Sequence, residues 1–303
     1  MKRVVVQPWP GLGSYTRLMT ARILSGAEAA AVWRAEIAGR VGSLAAEGKR
    51  VGLATLLVGD DPASAVYVRN KHKAAEASGM RSFDLRLPST ASQREVEGMV
   101  DQMNDDPEVD GYIVQLPLPD HLESAPVLAR MDPDKDADGL HPINLGRMVL
   151  DSPAPRPATP TGILRLLDHY DIPTRGSRAV VVGRSTLVGR PLSIMLSAKG
   201  RDATVTVAHT GTPDLESMTA GADLLFVGAG RPGLITGRHV KPGAFVVDAG
   251  TTRVDGRLVG DTVFEEVVAV AAGVTPVPGG VGPMTIAGLL FNTVVLAEHA
   301  FGV

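Results

Sequence analysis

The sequence predicts an α/β protein of two domains, a first α/β domain and a second, Rossmann-like domain for a nucleotide, with a cleft between them. Short Val-rich segments alternate with amphipathic segments of helical period, which is typical of a parallel sheet with crossover helices. This pattern stops at residues 151–160, where four of ten residues are proline, and then restarts. A length of 303 residues also agrees with about two domains.

The first domain is predicted to span residues 19–157 and to regain the end of the chain, residues 287–303. It opens with an amphipathic helix and the strand-like segment VGLATLLVGD. Asp61 and the proline after it are typical of a helix start, and Gly79 ends that helix. The strand FDLRLP, the helix SQREVEGMVDQMN and the buried strand DGYIVQLPLP follow. Residues 1–18 show no clear period and are interpreted as an extension.

The second domain is predicted to span residues 158–286. It begins with the helix GILRLLDHY, the strand AVVVG and the helix VGRPLSIMLSAKG. Three further strands are expected in ATVTVA, ADLLFVG and GAFVVDAG. The glycine-rich segment VTPVPGGVGP then leads into a last apolar helix, predicted from about Met284 to Glu298.

The composition excludes several classes of partner and of site. A net charge of −3 and an aromatic content of 4% argue against nucleic acid as a partner. Because the chain has no cysteine, disulfides, thiolate zinc sites, iron–sulfur clusters and a cysteine nucleophile are excluded. The apolar runs are shorter than the roughly 18 residues of a membrane helix, and the N-terminal run is too short for a signal peptide. We therefore expect a cytoplasmic protein without a membrane partner.

No metal site is predicted. The seven histidines show no spacing that is typical of metal ligands. The segment DPDKDADG has the first carboxylates and the glycine of a calcium-binding loop, but the position that requires glutamate is Leu145.

A strand, a glycine-containing turn and a helix follow one another in AVVVGRSTLVGRPL. The amino end of such a helix binds phosphate through its free N–H groups, and Gly183 lets the backbone approach a pyrophosphate closely. The spacing differs from the common Gly-x-Gly-x-x-Gly pattern, so a plain turn without a ligand is the alternative. Residues 203–212, where NAD-binding proteins carry an acid for the ribose, contain none. Arg184 and the hydroxyls of Ser185 and Thr210 suit a 2′-phosphate, which favours NADP over NAD.

Polar side chains in apolar segments of the first domain are the candidate catalytic residues. Ser64, Tyr67 and Lys71 have the i, i+3, i+7 spacing that places them on one helix face. A lysine becomes a useful base only where burial or a nearby cation lowers its pKa. Gln115 ends an apolar strand, at the edge where α/β sheets bind ligands, and Asp138 lies in an aspartate-rich loop. The alternatives are a solvated helix face for the lysine and turn or capping roles for the others.

Seven motifs in order resemble one family, the bifunctional methylenetetrahydrofolate dehydrogenase/cyclohydrolases of the FolD family. They are SAVYVRNKHKAAEASGM, DGYIVQLPLP, DKDADGLHPINLGRM, PATPTGILRLL, VVVGRSTLVGRPL, ADLLFVGAGRPGLI and TPVPGGVGPMTIAGLL. The resemblance implies NADP-dependent oxidation of 5,10-methylenetetrahydrofolate and hydrolysis of the methenyl product to 10-formyltetrahydrofolate. It also implies a homodimer with a role in one-carbon metabolism and purine biosynthesis.

The resemblance also implies roles for particular residues. The catalytic residues would be Lys71, Tyr67, Gln115 and Asp138. The folate substrate would be bound by Ser64, Tyr67, Gln115, Leu116, Pro117, Asp138, Pro278, Gly279 and Gly280. The cofactor NADP would be bound by Gly183, Arg184, Ser185, His209, Thr210 and Ile235. Two positions depart from the family pattern: Ala158 replaces a usual cysteine, and Thr210 replaces a common serine but keeps its hydroxyl.

Three alternative functions stay open at this point. A monofunctional dehydrogenase of the same family is one, against which the presence of both Lys71 and Gln115 argues. A two-domain NADP dehydrogenase for a shikimate-like substrate is the second, and the QLPLP and PGGVGPMT motifs would have no role there. The third is a non-catalytic NADP-binding sensor, which would bind the nucleotide without turnover.

Overall fold

The protein is described by a computed structural model that covers residues 21–303, apart from the side chain of Ala63. The extension predicted over residues 1–18 lies outside the described residues. Within the described part, two parallel sheets are covered by helices. The predicted two-domain α/β class is therefore confirmed.

The first domain consists of a three-stranded parallel sheet and the helices around it. Its elements are α1 (Gly26–Ala46), β2 (Gly52–Val58), α2 (Pro62–Ala77), β3 (Arg81–Leu87), α3 (Gln93–Asp105), β4 (Gly111–Val114), α4 (Ser124–Arg130) and α5 (Pro142–Val149), after a short strand β1 (Arg22–Ile23). The strand order is β3-β2-β4, so β2 is central. Every residue of β2 and β4 is buried, as expected for strands with cover on both faces.

The second domain consists of a larger parallel sheet with a small hairpin. Its elements are α6 (Ala158–His169), β5 (Arg178–Val182), α7 (Gly189–Ser197), β6 (Thr204–Ala208), α8 (Leu215–Thr219), β7 (Leu224–Val227), β8 (Phe245–Asp248), β9 (Thr252–Val254), β10 (Arg257–Val259), α9 (Phe264–Val268) and β11 (Gly273–Val274), and the final helix is α10 (Val281–Phe301). The sheet order is β1-β11-β8-β7-β5-β6. The hairpin pairs β9 with β10 in antiparallel fashion.

The order of the second sheet creates a crevice at one edge. From β5 the chain proceeds to the edge strand β6 and then crosses to β7, on the other side of β5. The loops after β5 and β7 consequently leave the sheet in opposite directions at their carboxyl ends. Open α/β sheets bind their ligands at such a reversal of strand order.

A short strand and the last helix cross the domain boundary that the sequence predicts. Arg22–Ile23, which the prediction assigns to the first domain, pairs with β11 and extends the second sheet. The pairing joins strands that are far apart in sequence, so no local pattern indicates it. The last helix α10 packs against α1 and α6 and also contacts β2 and β4. It starts at Val281, earlier than predicted, and one continuous apolar core therefore includes residues of both domains.

The helix α10 is, among the described residues, long and apolar enough to cross a membrane by length and composition. The mean hydropathy of its 18-residue apolar stretch is 1.4, and 61% of that stretch is buried inside the protein. It packs against α1 and α6. The apolar composition therefore serves the packing of a core helix.

The predicted strand DGYIVQLPLP is shorter than the motif. β4 ends at Val114, and Gln115 follows it, donating its backbone N–H to the carbonyl oxygen of Leu56 at 2.8 Å. Pro117 and Pro119 have no N–H to continue the ladder, and the Leu116–Pro117 peptide is cis. Gln115 nevertheless lies at the carboxyl edge of the sheet, where the prediction places it.

Candidate active site

A cleft of about 1210 Å³ lies between the two sheets. One wall is formed by α1 and α2, and the opposite wall by the loops after β5 and β8 and by the hairpin. The floor comes from the loop after β4, from Asp138 and from the start of α10. Ten residues that the sequence predicts for catalysis or folate binding line this cleft: Ser64, Tyr67, Lys71, Gln115, Leu116, Pro117, Asp138, Pro278, Gly279 and Gly280.

Lys71 is buried in the wall of the cleft, with 6% of its surface exposed. Its Nζ donates to Oε1 of Gln115 at 3.1 Å. The Gln115 amide is itself oriented, because its Nε2 donates to the carbonyl oxygen of Leu116 at 2.6 Å. Burial lowers the pKa of Lys71 below its ordinary value, and the carboxyl of Asp138 opposes this shift. The neutral form of the Lys71 amine is therefore more favoured in this site than it would be in water.

Tyr67 lies one turn before Lys71 on α2, with 37% of its surface exposed to the cleft. Lys71 Nζ is 5.6 Å from the centre of the Tyr67 ring. A side chain at Gly282, in the first turn of α10, would be 3.6 Å from the Tyr67 hydroxyl. Burial and the nearby Asp138 raise the pKa of Tyr67, so the phenol keeps its proton. Ser64, one turn earlier, is buried, and its N–H caps α2 by donating to Asp61 at 2.7 Å.

Asp138 lies in a loop that is held from several sides. Asp136, which is 1% exposed, accepts hydrogen bonds from the backbone N–H groups of Gly139 and His141 at 3.0 and 2.8 Å. The Asn144 amide donates to the same carboxylate at 3.0 Å. These three bonds fold the loop around Asp136 and point the neighbouring Asp138 into the cleft.

A second support for this loop comes from α10. The buried amide of Asn292 donates to the carbonyl oxygens of Ala137 and Arg156, both at 2.8 Å. The carbonyl oxygen of Asp138 accepts from Ala158 N at 3.1 Å. Burial raises the pKa of the Asp138 carboxyl, and Lys71 opposes that shift. The sequence does not predict Asp136 and Asn292 as site residues, because their contacts join distant segments. Asp136 does lie in the same aspartate-rich motif as Asp138.

The loop 278–280 passes very close to the start of α1. The carbonyl oxygen of Gly279 accepts from Ala27 N at 3.0 Å, and Gly279 has a φ of +99°. A side chain at Gly26 would stand 1.7 Å from the carbonyl oxygen of Gly280. Glycine at these positions therefore allows two backbones to meet and leaves the rim of the cleft open. Pro278 is exposed at this rim, and Pro117 is exposed after β4.

The predicted cofactor residues lie beside the cleft, at the carboxyl edge of the second sheet. Gly183 follows β5 with a φ of +127°, and a side chain there would be 2.4 Å from the carbonyl oxygen of Gly228, which follows β7. A side chain at Gly189, the first residue of α7, would be 2.1 Å from the carbonyl oxygen of Gly183. The turn is therefore packed so closely that no side chain fits at Gly183 or Gly189.

The polar groups of this edge come from adjacent strand ends. Gly183 N donates to the carbonyl oxygen of Ala208 at 2.8 Å, which brings Arg184 and Ser185 next to the His209–Thr210 turn. Arg184, Ser185 and Thr210 are exposed, and Arg184 forms no ion pair with another residue of 21–303. Leu187 and Val188, from the same loop, line the cleft and connect the two regions.

Ile235 does not line the cleft, and its assignment to the cofactor site stays a prediction. Its side chain is fully buried in the apolar core of the second domain. Its backbone is also occupied, because its N–H donates to Asp261 at 3.0 Å and its carbonyl accepts from Val263 at 2.7 Å. The segment that instead reaches the cleft is 248–251, after β8, and it includes the exposed Thr251. The rule that ligands gather at strand ends applies to the motif GAFVVDAG and would have found it.

Asp248 holds this missed segment in place. Its buried carboxylate accepts from the N–H groups of Gly250, Asp261 and Thr262 at 2.8, 3.1 and 2.8 Å, and from the Thr262 hydroxyl at 2.8 Å. Burial raises the pKa of Asp248, and these donors oppose the shift. Asp261 accepts from Ala229 and Gly230, so the loops after β7 and β8 are tied together. Among the described residues, no group of three His, Cys, Asp or Glu side chains is arranged to hold a metal ion.

The fold and the site together define a two-domain α/β enzyme, with a nucleotide edge on one sheet and a buried lysine facing it across a cleft. Comparison with known families agrees with this class. Residues 24–138 match the catalytic domain of tetrahydrofolate dehydrogenase/cyclohydrolase. Residues 157–301 match the NAD(P)-binding domain of the same family. The chain therefore belongs to the tetrahydrofolate dehydrogenase/cyclohydrolase family.

Individual relatives support this assignment over nearly the whole chain. The chain is 52% identical over 284 residues to the bifunctional protein FolD of Nitratidesulfovibrio vulgaris, covering 93% of this chain and 99% of that protein. The crystal structure of the bifunctional FolD enzyme from Campylobacter jejuni is 42% identical, with a TM-score of 0.89 over 92% of this chain and 99% of that one. The Trypanosoma brucei dehydrogenase-cyclohydrolase, solved with NADP and an inhibitor, is 37% identical, with a TM-score of 0.88 over 93% and 99% of the two chains.

Proposed function

We propose that the protein is a bifunctional enzyme that oxidises 5,10-methylenetetrahydrofolate with NADP and hydrolyses the methenyl product to 10-formyltetrahydrofolate. One observation carries the proposal: a buried Lys71, hydrogen-bonded to Gln115, faces the nucleotide edge of the second sheet across one cleft. The names of the Campylobacter jejuni and Trypanosoma brucei relatives describe a methylenetetrahydrofolate dehydrogenase and cyclohydrolase.

The carboxyl edge of the second sheet fits a dinucleotide phosphate. Gly183 and Gly228 bring no side chain into the crevice, so a pyrophosphate can approach the backbone closely there. Arg184, with the hydroxyls of Ser185 and Thr210, would hold the 2′-phosphate of NADP, and no acid in 203–212 would bind a free ribose hydroxyl. When bound, NADP supplies the hydride acceptor. The residues of segment 248–251 would border the nicotinamide and orient it toward the folate.

The pterin would bind deep in the cleft, at Asp138. A carboxylate accepts two parallel hydrogen bonds, and the amino and ring N–H groups of a pterin present such a pair. Tyr67 would border the benzoyl part of the substrate with its exposed ring. The hydrogen bonds that hold the Asp138 loop would fix the distance from the reacting carbon of the substrate to Lys71. Such positioning lowers the activation barrier.

Lys71 would accept and donate the protons that move during hydrolysis. As a neutral amine, its Nζ accepts a proton from the water that adds to the methenyl carbon. The ammonium returns this proton to N5 as the bond between N5 and that carbon breaks, while the new hydroxyl loses its proton to solvent and becomes the formyl group. One proton is released in total. Gln115 keeps the amine aimed at the reacting carbon throughout, and the positive charge of the substrate favours the neutral amine.

We further propose that the enzyme is a cytoplasmic homodimer whose formyl product serves purine biosynthesis. The absence of cysteine fits a reducing compartment. The edge strand β6 has three exposed residues of five and a Val207 that is 36% exposed, which suits a contact between two copies. Light scattering of the purified protein tests the assembly: twice the mass of one chain supports it, and the mass of a single chain contradicts it.

A paired assay of the purified protein tests the proposed activities. Reduction of NADP with methylenetetrahydrofolate reports the first reaction, and loss of methenyltetrahydrofolate absorbance without nucleotide reports the second. We expect both. The first reaction alone would favour a monofunctional dehydrogenase, and NADP binding without either reaction would favour a sensor.

A further inference from the structure

The face of α2 that packs on the first sheet carries a histidine between apolar side chains. Val68 and Ala75 are fully buried, and His72 lies between them with the i, i+4, i+7 spacing of one helical stripe. The His72 side chain is 13% exposed. Its Nε2 is 2.8 Å from Oγ1 of Thr55 in β2, and its Nδ1 contacts Oγ of Ser82 in β3. One imidazole therefore joins α2 to two neighbouring strands.

The His72 imidazole can form both contacts in its neutral form. Burial lowers its pKa, and the carboxylates of Asp84 and Glu76 oppose this shift. Arg86 and Lys71 lower the pKa further. A neutral imidazole has one nitrogen that donates and one that accepts, and a hydroxyl can do either. Because hydrogen bonds are directional and apolar contacts are not, these two bonds hold α2 at one position along the sheet.

His72 closes a cycle of contacts that includes the amine of Lys71. Lys71 Nζ donates to Oε1 of Gln115 at 3.1 Å. The backbone N–H of Gln115 donates to the carbonyl oxygen of Leu56 at 2.8 Å, and Leu56 follows Thr55 in β2. Thr55 in turn contacts His72, which follows Lys71 in α2. The bond between His72 and Thr55 therefore connects the helix of the amine to the strand that holds its partner.

We propose that His72 is a positioning residue for the hydrolysis, which holds the amine of Lys71 at the Gln115 amide in the wall of the cleft. The inference rests on the proposed function, which gives Lys71 the proton transfers of that reaction. Without the bond to Thr55, α2 keeps its apolar contacts but can shift along the sheet. The amine then loses its place at Gln115 and gains water. A misplacement of about 1 Å can cost roughly 10²-fold in rate.

The experiment measures both proposed activities in His72→Leu. We expect the cyclohydrolase kcat to fall about ten- to hundredfold at an unchanged KM, while the dehydrogenase kcat stays close to that of the wild type. His72→Gln has an amide with a donor and an acceptor, so it should restore part of the lost rate. Val68→Ala is the matched control, because it disturbs the same packed face of α2 without breaking the cycle of contacts. It should lower stability and leave the ratio of the two activities unchanged.

The pKa of Lys71 tests the positioning without turnover. It is measured by NMR of protein with isotope-labelled lysine, in the absence of substrate, and the signal is assigned with Lys71→Met. We expect the pKa to be below its ordinary value in the wild type and in Val68→Ala, and to rise toward that value in His72→Leu because the amine gains water. This result supports the positioning even where the wild type shows neither activity.

An unchanged pKa of Lys71 in folded His72→Leu overturns the proposal. An equal rise of that pKa in Val68→Ala also overturns it, because loosened packing alone would then explain the effect. In a wild type that shows both activities, an unchanged ratio of cyclohydrolase to dehydrogenase rate in His72→Leu overturns it as well.

Discussion

Replacing Asn292 with leucine tests how the fold holds Asp138 in the cleft. The Asn292 amide donates to the carbonyl oxygens of Ala137 and Arg156, both at 2.8 Å. Leucine has nearly the same shape, so the cavity that remains is small, but both carbonyls lose their donor. A buried carbonyl without a partner costs about 1–3 kcal/mol, so we expect a loss of about 2–6 kcal/mol in the free energy of unfolding.

The same change should weaken folate binding and spare the nucleotide site. With the Asp138 loop loosened, the KM for methylenetetrahydrofolate should rise about tenfold, the equivalent of about 1.4 kcal/mol. The Kd for NADP should not change, because among the described residues no hydrogen bond joins the Asp138 loop to residues 183–185 or to the His209–Thr210 turn. Chemical denaturation, initial rates and NADP titration measure the three quantities.

The neighbouring Thr293→Val is a matched control. Thr293 is equally buried, but its hydroxyl donates within α10, to the carbonyl oxygen of Leu289 at 2.9 Å. Thr293→Val should change neither the KM for methylenetetrahydrofolate nor the Kd for NADP. In addition, Asn292→Leu should have no further effect on KM when Asp138 is already alanine, because Asn292 acts through Asp138. A stability loss with an unchanged KM for folate would refute the reasoning.

Three other predictions concern the nucleotide edge and Lys71. Arg184→Ala should raise the KM for NADP about tenfold or more and leave that for NAD nearly unchanged, because one charge-assisted contact to the 2′-phosphate is lost; equal effects on both nucleotides in steady-state rates would count against this contact. Gly183→Ala should lower the free energy of unfolding by at least about 1 kcal/mol and abolish NADP binding, because the φ of Gly183 is +127° and the new methyl group meets Gly228. Gly42→Ala is the control, since there is open space around Gly42, and it should cause neither loss in denaturation and NADP titration. The cyclohydrolase rate should rise with pH and level off above the lowered pKa of Lys71, because the neutral amine is the active form; a rate that falls over the same range would show that the ammonium acts instead.

Local patterns predicted the parts of the site that lie within one element. The spacing of Ser64, Tyr67 and Lys71 is a property of a single helix, so their common face follows from the sequence alone. Gln115 was found in the same way, because the end of an apolar strand marks the carboxyl edge of a sheet. The resemblance to a family then indicated that these segments meet.

Contacts between distant segments could not be read from the sequence. Asn292 and Asp136 look like ordinary polar residues until the fold brings α10 onto the loop of Asp138. The pairing of Arg22–Ile23 with β11 joins two strands that lie far apart in the sequence. The assignment of Ile235 to the cofactor site rests on the resemblance alone, and its buried side chain agrees with the preference of isoleucine for the core.

The two activities of Lys71→Met provide the most direct test of the central claim, that a buried neutral amine drives hydrolysis. Methionine keeps the unbranched shape and most of the length of the side chain but cannot take a proton. We expect the cyclohydrolase rate to fall by about 10²–10⁴-fold, with a measurable dehydrogenase rate in the same preparation. An equal loss of both activities in a folded protein, or a cyclohydrolase rate close to that of the wild type, would contradict the account.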